Sequence, residues 1–233
     1  MYKRQTGDGA LFAEAGEEYA LGSEKGVYES LFETGLDSVH YEDNTGVVHA
    51  LSDTSGLMQP VSIFFVMGGV DYKKASSFNN KRLTYSDLGI SKEEFHSLPY
   101  FGSVGFEENG DLIPLPQGRI LVSEGIPDDY AVVNMSRING INGADADDVN
   151  RAETEARLQL MAIVDFLKRY VPGFENSYLV NTGSTLGIRE TRRLKGKYIL
   201  SGKEVIECRH FEDAIAKGSY MICLLYTSPS PRD

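Results

Sequence analysis

The feature that most restricts how this chain can fold is one long apolar stripe. Between about Asp147 and Val171, the residues Val149, Ala152, Ala156, Leu160, Ile163, Val164, Leu167 and Val171 recur at steps of three and four. That period marks a helix with one buried face. Asp residues stand at its start and Lys168-Arg169 near its end, as the helix dipole favours. Pro172-Gly173 then stops it. Glu153 and Arg157, four apart, read as a solvated i,i+4 pair worth a few tenths of a kcal/mol.

Elsewhere the period changes. Residues 47–51, 61–67, 102–107, 119–123 and 130–137 are short β-branched or aromatic runs punctuated by Gly, Asn, Asp and Pro. They read as strands of an antiparallel sheet with hairpin loops, and Glu108-Asn109-Gly110-Asp111 reads as a turn. Residues 76–99 are polar and helix-prone, with Ser91-Lys92-Glu93-Glu94 resembling a capped helix start. Residues 11–20 carry small and apolar side chains at helical spacing, which predicts a short helix.

Two segments carry chemistry. Gly187-Ile188-Arg189-Glu190-Thr191-Arg192-Arg193 holds three arginines within five residues. Arg is a fixed planar cation with five donors, suited to a carboxylate, a phosphate or the oxygen-rich edge of a flavin. The alternation of Tyr198 and Leu200 that follows reads as a strand. Near the other end, Thr6-Gly7-Asp8-Gly9 is a tight turn with an acid inside it, placed directly before a helix start. A turn so placed presents free backbone N–H groups, which suit an anionic group.

In motif, order and spacing these two segments resemble the FAD-dependent oxidoreductase family, whose members carry a TGDG turn and a later GIRE(S/T)RR return segment. Gly56-Leu57-Met58-Gln59-Pro60, Gly68-Gly69-Val70-Asp71 and Val171-Pro172-Gly173-Phe174 extend the resemblance, which is weakest over residues 72–127. It implies an α/β protein, α+β in the stretch present here. The expected parts are pieces of a Rossmann-like FAD-binding domain and an inserted substrate domain of antiparallel sheet plus helices. Residues 6–20 then end a flavin segment, 21–178 form the substrate domain, and 179–222 return to the flavin domain.

The resemblance assigns FAD as cofactor and a small polar metabolite as substrate, with hydride or electrons passing between them. Thr6, Gly7, Asp8, Gly9, Gly187 and Arg189 become the cofactor contacts, and Arg189 and Arg192 the catalytic candidates, Arg189 first. Gly7 and Gly9 would let the backbone approach FAD, and Asp8 would orient the turn or accept a bond from a ribityl or ribose hydroxyl. Thr6 would donate to a phosphate or to the backbone. An arginine would lie beside the N1–C2=O edge of the flavin, where it stabilises the charge of the reduced ring, or clamp a substrate carboxylate. Sequence leaves both roles open. Some relatives carry iron–sulfur clusters, but Cys208 alone supplies no ligand set, and no metal site is expected. The fingerprint G-x-G-x-x-G does not occur in this sequence, so the chain alone is expected to hold FAD weakly and to be inactive. A reading from another class is a non-catalytic carbohydrate- or peptide-binding domain on the antiparallel sheet.

Residues 1–5 and 223–233 resemble translated sequencing-adapter ends, leaving residues 6–222 as the natural segment of a longer gene. Hydrophobic content of 41% and charged content of 24% belong to an ordinary globular chain. The net charge of −11 argues against nucleic acid as a partner, since phosphate binding needs a basic face. No apolar run reaches the roughly 18–20 residues of a membrane span, and the cytoplasm is the expected compartment. Cys208 is expected to be half-buried. Among His40, His49, His96 and His210, only His210 lies near the arginine segment, and it receives no role. Tyr198 and Tyr220 are candidate pocket residues.

Overall fold

A computed structural model of the chain describes residues 7–22, 39–42, 48–51, 58–100, 110–198, 200, 204–205 and 207–218, with the backbone alone for 39–42 and 48–51. Helices and antiparallel sheets occur together, an α+β arrangement. The chain divides into two compact units. One comprises Met1–Tyr41, Val48–Gln59 and Glu190–Asp233; the other comprises Glu42–Val47 and Pro60–Arg189. The expected strand at 102–107 and the turn residues 108–109 lie outside the described residues.

In the first unit, helix α1 spans Ala10–Glu14 and stops at Ala15. The expected helix over 11–20 is therefore half its predicted length. Gly16 turns the chain, and beyond it the apolar residues Tyr19 and Leu21 alternate by two, a strand period. Strand β1, Tyr19–Leu21, pairs antiparallel with the three residues Arg192–Leu194, in the register Tyr19↔Leu194, Ala20↔Arg193 and Leu21↔Arg192. The strand expected around Tyr198 and Leu200 thus falls earlier, on the arginine run itself. Residue 198 is a bend and 200 has no regular structure. Val39–Glu42 (β2) and Val48–Leu51 (β3) form another two-stranded sheet.

The second unit is built on a four-stranded antiparallel sheet. In chain order its strands are β4 (Phe65–Gly68), β5 (Val122–Glu124), β6 (Ala131–Val133) and β7 (Tyr178–Thr182), and in space they run β5-β6-β4-β7. Their register pairs Phe65 with Val133 and Gly68 with Tyr178, with an irregularity between Val66 and Met67 where β4 meets β7. Alternation puts Phe65, Met67, Ala131 and Val133 in the core.

Three short helices follow β4: α2 (Tyr72–Ala75), α3 (Tyr85–Leu88) and α4 (Lys92–His96). Each is capped by the side chain before it. Thr84 and Asp87 form a reciprocal capping box, and Ser91 accepts from the Glu94 N–H as its sequence suggests.

The long helix, α5, runs over Ala146–Tyr170, within a residue of the stripe. It buries Ala152, Ala156, Leu160, Ile163, Phe166 and Leu167 in the same cluster as the sheet's inner face. Phe166 meets Phe95 of α4 edge-on at 5.9 Å. At the helix start, Asp145 accepts from the Asp147 and Asp148 N–H groups.

Where strand pairing gives out, side chains take over the backbone's hydrogen bonds. Ser136 Oγ accepts from Ile63 N at 2.7 Å and donates to Ile63 O at 2.9 Å. Gln159, from α5, accepts from Arg137 N and donates to Arg137 O, both at 3.0 Å.

The caps set an acid limit. The Asn142 backbone N–H and then Arg151 hold the Asp148 carboxyl below its ordinary 3.8. The Thr84 backbone N–H and hydroxyl do the same to Asp87. A depressed folded pKa adds stability above the unfolded value and loses it as pH falls through the folded one. The melting temperature should therefore hold between about pH 7 and pH 5 and fall below about pH 4. Asp148→Asn should melt lower than the parent near pH 7 and alike near pH 2, as followed by circular dichroism.

Candidate functional site

The two motif segments meet in the first unit. Arg192 is 184 residues from Asp8, yet its guanidinium donates to the Asp8 carbonyl at 3.2 Å. The same guanidinium lies over the Tyr19 ring, 5.8 Å from its centroid. The strand Arg192–Leu194 produces this placement by pairing Arg192 with Leu21 of β1. Gly9 sits at φ 64° ahead of α1. A Cβ there would run into the Phe12 ring and approach Arg192 Cβ to 3.2 Å, so the close approach of turn and arginine needs glycine. Gly7 has open space where a Cβ would stand, and Asp8 is exposed.

Arg193 is engaged elsewhere. It donates to the Gly22 carbonyl and pairs with Glu190 at 3.3 Å, while Glu190, its side chain 7% exposed, also accepts from the Gln59 N–H. Lys195 is exposed and pairs loosely with Glu18 at 3.9 Å.

Gly187 and Arg189 belong to the second unit. Gly187 exchanges backbone hydrogen bonds with Ser62, at 2.7 and 3.4 Å. Arg189 donates from one terminal nitrogen to the Pro60 carbonyl and from the other to Ser62 Oγ, each at 3.0 Å. The arginine placed first on sequence grounds thus fastens two chain segments together. Thr6 and Tyr220 lie outside the described residues.

Cys208 is exposed at φ 53°, not half-buried: its segment is a turn, with Cys208 N bonded back to Val205 O. His210 is also exposed. Tyr198 is exposed and donates its hydroxyl to Glu204, and that neighbour raises its pKa. Arg157, read as half of a solvated pair, does more. Besides Glu153 it reaches Thr182 Oγ1 at 2.5 Å and the Gly183 carbonyl at 3.2 Å, tying α5 to the end of β7. Nothing in its i,i+4 spacing announces that second attachment. Among the described residues, no three His, Cys, Asp or Glu side chains cluster closely enough to hold a metal. None of the helices there is long and apolar enough to cross a membrane.

An open glycine edge, an exposed carboxylate and an arginine fixed on the same turn suit a ligand that is both anionic and rich in hydroxyls. The model of a family described as FAD dependent oxidoreductase matches residues 5–224. The chain belongs to that family, which gives it a flavin oxidoreductase role and a small-molecule substrate. No curated protein and no solved structure was found to match it.

Proposed function

We propose that the chain is part of an FAD-dependent oxidoreductase that passes a hydride or electrons between a small polar metabolite and flavin. The observation that carries this reading is the Arg192–Asp8 hydrogen bond, which joins the two segments that a flavin site requires. The donor set fits FAD, a dianionic dinucleotide with ribose and ribityl hydroxyls. In this reading residues 6–20 and 179–222 serve a Rossmann-like flavin-binding part, and 21–178 serve the substrate.

Bound FAD supplies the hydride acceptor. Gly7 leaves the backbone edge open to the cofactor, and Gly9 lets the turn close against Phe12 and Arg192. The exposed Asp8 carboxylate accepts from a cofactor hydroxyl, and Thr6 donates to a phosphate or the backbone. Arg192 spends one donor on the Asp8 carbonyl and keeps its positive charge for a negative group beside the turn. Gly187 and Arg189 hold the return segment against residues 60–62.

We expect the chain by itself to bind added FAD saturably but weakly, read by quenching of flavin fluorescence. Arg192→Gln can still donate to Asp8 but lacks the charge, and should weaken binding about tenfold, as the loss of a charge-assisted contact does. Absence of binding, or binding indifferent to Arg192→Gln, would remove the flavin reading. Stoichiometric flavin retained through purification would overturn the expectation of weak binding.

A further inference from the structure

A cavity of about 430 Å³ opens in the second unit against β5, β6 and residues 79–80. That volume is within the usual range for a small-molecule site. One side is apolar. Phe64 is 45% exposed between the buried Ile63 and Phe65, and Val132 lies between the buried Ala131 and Val133. Strand alternation turns Val132 toward the cavity and away from the core, and Phe64, just before β4, lines it beside Val132.

The other side is made of amides and a hydroxyl whose remaining hydrogen-bonding capacity is specific. Asn79 Oδ1 already accepts from the Val122 N–H at 3.0 Å, and Asn80 Oδ1 from Arg119 at 3.2 Å. What each has left is its NH₂ group, which makes no hydrogen bond within the described residues, so both present donors. Asn134 also lines the cavity, but its Oδ1 is closed off from solvent and has no hydrogen-bond partner among the described residues. A buried amide oxygen almost always has one. Ser123 adds a hydroxyl that both donates and accepts. No lining side chain carries a charge.

We infer that this cavity binds a neutral, hydroxyl-rich small molecule of the sugar or polyol class. A hydroxyl accepts from the Asn79 and Asn80 amides and donates to Ser123 Oγ, so one kind of group serves the whole polar side. The uncharged lining gives no advantage to an acid or an amine, and Phe64 with Val132 offers a surface for the ligand's C–H face. The cavity lies wholly within the second unit, so the inference stands or falls apart from the flavin reading.

The test is calorimetry on the full chain with D-glucose and myo-inositol as neutral probes and D-gluconate as the charged counterpart. At least one neutral probe should bind saturably, and gluconate no more tightly. Ser123→Ala removes the lining hydroxyl at an exposed position, so it should melt no lower than the parent and bind about tenfold more weakly. Phe64→Ser, at an exposed position, should weaken binding in the same direction without unfolding the chain. Three results would each overturn the inference: no saturable heat from either neutral probe, tighter binding of gluconate, or binding unchanged in both variants.

Discussion

Replacing Gly173 with alanine is expected to cost about 3 kcal/mol or more of stability, a large share of what a domain of this size has. Gly173 follows the end of α5 at φ 98°, outside the range that L side chains adopt readily. A Cβ there would lie 2.5 Å from the Asp71 carbonyl oxygen and 2.9 Å from the Ala75 nitrogen. Both are backbone atoms, and neither can step aside, because the Asp71 N–H is itself bonded to the Gly173 carbonyl at 2.9 Å. Urea unfolding should show a lower midpoint at unchanged slope. Gly140→Ala separates the two causes: φ is 66° there, but the Cβ meets nothing within 4 Å. It should cost only the local strain, about 1–2 kcal/mol. Equal losses at the two positions would show that the crowding at Gly173 counts for nothing.

Gln159→Leu should be nearly as damaging, although leucine fills a similar volume in the middle of an apolar helix face. Gln159 is 2% exposed and supplies both hydrogen bonds of the Arg137 backbone. Leucine would leave a buried N–H and a buried carbonyl without partners, at about 1–3 kcal/mol each. The melting temperature should fall by roughly 5–15 °C. An unchanged melting temperature would mean that water replaces the amide, and that the side chain is there for packing alone.

These two positions also show what sequence could and could not reveal. The stripe that predicts α5 is a local property, and the helix falls within a residue of it. Strands were legible as runs but not as bounded elements. The run at 130–137 is regular strand only over Ala131–Val133, because Ser136 and Gln159 replace ladder partners beyond it. No periodicity reports that kind of substitution. Strand β7 gives no core signal because it is an edge strand, with Tyr178 and Val180 exposed and Leu179 only partly buried. The long helix contains a buried Gln159, which breaks the apolar pattern for a reason that only its partner on another segment explains.

At the site, the turn and the arginine run were visible as types of residue, and the resemblance joined them. The pairing that brings Arg192 to Asp8 was not visible, because it depends on β1 taking over residues that read as helix. Nor could sequence distinguish Arg189 from Arg192. They stand three positions apart, and they differ in what each one finds: Pro60 and Ser62 for the first, Asp8 for the second.

The Ser62–Gly187 bridge has a consequence for the order in which the chain assembles. The contact of Arg193 with Gly22 closes a loop of 171 residues, which from an open coil costs about 4–5 kcal/mol of chain entropy. Once the second unit has formed, the exchange between Ser62 and Gly187 and the Arg189 bonds to Pro60 and Ser62 hold its entrance and exit together. The effective loop then shrinks to the few tens of residues outside it, and the cost falls by about 1 kcal/mol. Assembly is thus expected to run from the middle of the chain outward. The segment around β1 waits for its partner beyond Arg189, and a pulse-labelled hydrogen-exchange experiment should find α5 protected before β1.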